Sequence, residues 1–116
     1  MRIEKDPSDT ETYLTDGSIT YKGFPSVTLT AAATLNVAAA ATFTSATGTA
    51  TITATVGSTA TTLLSATATT GEATYTLAIP SGTDLSTISV TIATDLQGRS
   101  AKEATIEVLV YEIYIQ

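Results

Sequence analysis

Between Lys22 and Glu72 the chain carries no charged side chain, and within that stretch threonine and small apolar residues alternate with a period of two. Ala50, Ile52, Ala54 and Val56 fall on one parity, and Thr49, Thr51, Thr53 and Thr55 fall on the other. Successive side chains of a strand point to opposite faces, so this pattern specifies a strand with one buried face. Such regularity over an uncharged stretch argues against disorder, and the threonines disfavour helix.

The same alternation predicts strands at residues 27–31 and 34–44, the second with Leu35, Val37, Ala39, Ala41 and Phe43 on one face. Gly48 and Gly57-Ser58 punctuate these strands, and a further strand is expected over 59–69. Ala73, Tyr75, Leu77 and Ile79 define the next apolar face, which ends at Pro80-Ser81-Gly82; Ile88, Val90 and Ile92 define another. A polar loop is expected over 95–102, around Gly98. In the last strand, 104–115, Ile106, Val108 and Val110 share one parity, while Tyr111, Ile113 and Ile115 share the other. A switch of parity near Val110 implies a bulge or a strand end buried on both faces. Seven or eight short strands at spacings of about ten residues read as an all-β antiparallel sandwich, of jelly-roll or immunoglobulin-like type.

Eight of the sixteen charged residues lie within the first 22 positions, where little periodicity is visible. Residues 1–23 therefore read as an extended arm and 24–116 as the sandwich. The arm's apolar anchors are Ile3, Tyr13, Leu14, Ile19 and Tyr21, and Asp16-Gly17 is a turn signal that would fold Tyr13-Leu14 and Ile19-Tyr21 into a hairpin. Threonine supplies 27 residues and alanine 18 of the 116, so a core built largely from small side chains is expected. Burial is worth roughly 0.8 kcal/mol per CH₂, so neighbouring subunits would add stability that such a core lacks.

Candidates for chemistry are few. With no cysteine and no histidine, the chain has no disulfide framework, no thiolate or imidazole catalyst and none of the usual zinc ligands. A net charge of −6 with five basic residues excludes a clustered phosphate-binding surface, so nucleic acid is not an expected partner. The longest apolar run, 37–41, is far short of the roughly 20 residues that span a bilayer, and no membrane contact is expected. The N-terminus lacks the apolar stretch of a secretory signal, so the chain either stays where it is made or has lost a leader. Asp84 with Asp95 would suit calcium or glycoside hydrolysis only if their loops met. Both stand in ordinary turn contexts. A Ser100/Lys102 dyad would require a buried lysine, whereas Lys102 adjoins Glu103. Tyr75, Tyr111 and Tyr114 would stack on a sugar only if they shared a face. The expectation is a non-enzymatic protein with no catalytic residue, no metal and no cofactor.

From Glu72 onward, the order of features is Tyr75-Thr76-Leu77-Ala78-Ile79-Pro80, the turn Ser81-Gly82-Thr83-Asp84-Leu85-Ser86, a strand at 88–92, a polar loop and a terminal Val110-Tyr111-Glu112-Ile113-Tyr114-Ile115. This grammar resembles the small β-sandwich modules of tailed-bacteriophage virion proteins, over about the last 45 residues. The resemblance implies a capsid-decoration, neck or tail component, assembled in the host cytoplasm, whose partners are other copies of itself and other virion proteins. Carbohydrate-binding sandwiches end in a similar strand, which keeps a glycan-binding module as an alternative, and a subunit of an exported filament or adhesin is a third.

Two features point to subunit contacts. The uncharged strands lack the lysines with which soluble monomers guard sheet edges. The last strand carries large apolar residues on both parities, so one of its faces needs cover. The expected interface residues are Tyr13, Leu14, Ile19 and Tyr21 from the arm, and Tyr111, Ile113, Tyr114 and Ile115 from the final strand.

Overall fold

Alternating residues build nine strands in this computed structural model, which describes residues 3–4, 12–14 and 17–116. They are β1 (Ile3–Glu4), β2 (Thr12–Leu14), β3 (Gly17–Tyr21), β4 (Ala33–Thr44), β5 (Ala46–Val56), β6 (Thr59–Ala66), β7 (Ala73–Ile79), β8 (Ile88–Arg99) and β9 (Thr105–Ile115), with one 3₁₀ turn at Leu85–Thr87. The first sheet runs β1-β9-β4-β7 with β2 also on β9, the second runs β3-β8-β5-β6, and among the described residues every pairing is antiparallel. The two sheets face each other across one hydrophobic core.

The pairs β2·β9, β3·β8, β4·β7 and β5·β6 are nested in sequence around the Gly57-Ser58 turn. The chain is in effect one long antiparallel hairpin, rolled so that successive pairs fall in alternate sheets. That winding is a jelly roll, and it selects between the two sandwich types that strand spacing leaves open. β4 passes into β5 through Ser45 alone, at φ +50°, so one residue carries the chain from the first sheet to the second. The break expected at Gly48 lies instead at this residue, and Gly48 is inside β5.

Several expectations change. No strand forms over 27–31: Thr28 makes a single bridge to Asp84, held by Leu29 N to Thr83 O (2.9 Å), Gly82 N to Leu29 O (2.8 Å) and Leu85 N to Val27 O (2.9 Å). The segment is a clip, with Leu29 buried under it. Residues 95–99 form strand, not loop, because the start of β5 supplies partners from Ala46 to Thr49. β2 and β3 do not form a hairpin with each other, since β9 and β8 offer them partners in opposite sheets. Residues 17–21, read from sequence as part of an arm, are an edge strand of the second sheet whose Tyr21 is 4% exposed. The Gly17 N–H donates to the buried Thr94 hydroxyl (2.9 Å), which fixes the entry to β3 and satisfies a polar group in the core.

The parity switch in β9 is a bulge. Ala38 pairs with Glu112 and Ala39 with Val110, leaving Tyr111 as the extra residue. Ile106, Val108 and Val110 before it, and Ile113 and Ile115 after it, therefore all face the core. Nor is that core thin. Among the eight isoleucines whose side chains are described, seven are fully buried, mostly on β8 and β9, beside the alanine columns of β4 and β5 that leave them room.

Candidate functional site

The expected interface residues divide between core and surface. Tyr21, Ile113 and Ile115 are buried, and Ile19 packs against the same cluster. Ile113, at 0% exposed, is spent on the chain's own core and has no surface to offer a neighbour. The bulge at Tyr111 is the physical reason, because it turns both halves of β9 inward. Tyr111 and Tyr114 are half-buried, Tyr114 lying opposite Asn36 on the outer side of the first sheet. The side chains of Tyr13 and Leu14 lie outside the described residues, although their backbones pair with Leu109 and Val108.

Residues considered for chemistry do not converge. Asp84 precedes β8 and Asp95 is the eighth residue of it. A strand rises about 3.3 Å per residue, so Asp95 lies about 23 Å along β8 from its start. The Asp84 side chain is occupied as the cap of the 3₁₀ turn: it accepts from Ser86 N (3.0 Å) and Ser86 Oγ (2.9 Å), and Ser26 Oγ donates to it at 3.3 Å. The backbone N–H of Ser86, then its hydroxyl, hold this carboxyl below the usual aspartate value; slight desolvation opposes them and the Ser26 hydroxyl adds to them. Asp95 accepts from Gln97 Nε2 (3.1 Å). Ser100 and Lys102 are both exposed in the turn after β8. Tyr75 has the inward parity of β7, whereas Tyr114 is on the outward parity of β9, so these two tyrosines share no face. Among the described residues no three acidic side chains come together as a metal site.

Two surface hollows are open. One, of about 410 Å³, lies between residues 27–33 and the C-terminal Ile115-Gln116, under Val27, a large apolar side chain that is 40% exposed. The other, of about 280 Å³, lies where the edges of the two sheets part, between Val56, Thr59 and Thr61 on one side and Leu77, Ala78 and Pro80 on the other. Among the described residues neither is lined by an ionisable side chain, and each can hold an apolar group.

Threonine has two structural uses that its frequency alone does not disclose. On the outer face of the second sheet, Thr20, Thr91, Thr53 and Thr62 stand in one row across four strands, with Thr20 and Thr91 hydroxyls 3.0 Å apart. Just ahead of β7, threonines take the place of a strand: Ala41 N donates to Thr70 Oγ1 (3.1 Å) and Phe43 N to Thr69 Oγ1 (2.9 Å). No protein-family model matches this sequence, and no curated protein matches it either. The surface thus offers a row of threonines across the outer face of the second sheet, and the edge strands β6 and β7, which carry no charged residue.

Proposed function

We propose that this chain is a structural, non-enzymatic subunit of a tailed-phage virion, a decoration, neck or tail component that works through contacts with copies of itself and with other particle proteins. The observation that carries this reading is the jelly-roll winding together with edges β6 and β7, neither of which holds a charged residue or a proline. Jelly rolls recur in capsid and lectin domains, so fold analogy supports the class of role. Edges without charge or proline support the mode of action, β7 most of all since it has no bulge either, because such an edge invites another chain. Tyr75 and Tyr114 lie on opposite parities, which favours the particle role over glycan binding. In this role the protein would be made in the host cytoplasm and end in the virion.

Particles purified from a lysate of a host carrying this gene provide the test. Quantitative mass spectrometry is expected to find the chain in the particle fraction at many copies per particle. A chain left wholly in the soluble fraction after particle assembly overturns the reading.

A further inference from the structure

We propose that β7 is a self-pairing edge: two copies of this chain join antiparallel through Ala73–Ile79, about a two-fold axis at Thr76, into one continuous sheet. This pairing deepens the structural role above and rests on it. β7 is the last strand of the first sheet, and among the described residues only β4 pairs with it. Edges are normally guarded by charge, proline or a bulge. β7 has none of these, and its register with β4 runs unbroken from Ala33↔Ile79 to Ala39↔Ala73. The neighbouring edge β6 is bulged, since Ile52 pairs with Leu64 and Thr53 with Thr62. Of the two adjoining edges, β7 is the straight one.

The sequence of β7 complements itself. Centred on Thr76, an antiparallel pair sets Tyr75 against the copy's Leu77, and Leu77 against the copy's Tyr75. Both residues are only half-buried in the single chain, and aromatic–aliphatic cross-strand pairs of this kind stabilise sheets. They lie on the inward side, where the hollow of about 280 Å³ between β6 and β7 opens beside Leu77. The copy's Tyr75 would reach that side.

Charge selects a second copy as the occupant. Two chains of net charge −6 repel, yet residues 23–71 carry no charge and β7 carries none. The single flanking carboxylate, Glu72, would fall beside the copy's Pro80 and not beside another carboxylate. Two like-charged molecules can therefore meet here with their acidic residues held apart.

Sedimentation at micromolar concentration is expected to give twice the chain mass for the wild type. Thr76 is exposed on the outer face, so Thr76→Lys should keep the fold and set like charges together on the axis, returning the mass to one chain. Thr76→Glu should do the same, an equimolar mixture of the two variants should restore the pair, and Thr62→Lys on β6 should leave the pair intact. The chain has no cysteine, so Thr76→Cys should give a disulfide-linked dimer on oxidation. This also covers a Thr76→Lys variant that fails to fold. Persistence of the dimer in Thr76→Lys, absence of the cross-link, or a wild type of one chain mass at every concentration overturns β7 pairing. The virion role fails separately, through absence of the chain from particles.

Discussion

A methyl group at Gly48 would sit on the Asp95 carbonyl oxygen and against Ile106, at a φ of +149° that side chains rarely adopt. This close approach lies where β5 meets β8 at the register shift between Thr47 and Gly48, so neither strand can yield without losing pairing. Gly48→Ala is expected to cost about 3 kcal/mol. Gly57, at φ +62° with nothing near its missing Cβ, should cost about 1 kcal/mol on the same change; urea midpoints for the two variants check the contrast. Asp84 makes a prediction in pH. Its folded pKa is lowered by the Ser86 N–H, the Ser86 hydroxyl and the Ser26 hydroxyl, against slight desolvation. A lowered carboxyl pKa contributes stability above the unfolded value of about 4, and the contribution is lost as pH falls through the folded value. The stability gap between wild type and Asp84→Asn should therefore persist at neutral pH and close in acid. A gap that stays constant from about pH 3 to pH 7 would contradict this assignment of the clip.

At the scale of elements, the bulge in β9 is the decisive device. Deleting Tyr111 would force one parity through the whole strand and turn either Ile113 and Ile115, or Ile106, Val108 and Val110, out to solvent. That deletion is expected to abolish the cooperative unfolding transition. Tyr111→Ala, which keeps the residue count and hence the bulge, should still melt cooperatively by circular dichroism. Ile113→Ala removes a wholly buried side chain on the far side of the bulge, and should cost about 2–5 kcal/mol in chemical denaturation.

For the whole molecule, the nested pairing makes the first strands and the last ones interdependent. β3 supplies Tyr21 to the core and covers the outer edge of β8. Removing residues 1–23 is therefore expected to leave a chain that loses soluble, cooperatively folded protein, which expression and thermal melting of the truncated form will test. The pairing of β2 with β9 spans almost the full chain. Contacts so distant in sequence must wait for costly loop closure, and refolding on the millisecond-to-second scale is expected in stopped-flow mixing.

The strands of the alternating stretches, their buried faces and the parity change near Val110 were legible in the sequence, because side-chain alternation is a local property of a strand and Thr/Ala/Ile patterning displays it directly; the strand expected at 27–31 and the break expected at Gly48 were not. The same locality made Tyr75, Leu77 and Ile79 readable as one face. Which strand pairs with which was not legible. A threonine- and alanine-rich strand carries little that distinguishes one partner from another, so pairing is decided by closure of the whole roll. That global choice sends β2 and β3 to opposite sheets, recruits the polar residues 95–99 as strand opposite β5, and lets Thr69 and Thr70 finish the edge of β4. It also moved Tyr21, Ile113 and Ile115 from candidate interface to core: parity shows that a residue has a buried side, but only the folded chain shows what buries it.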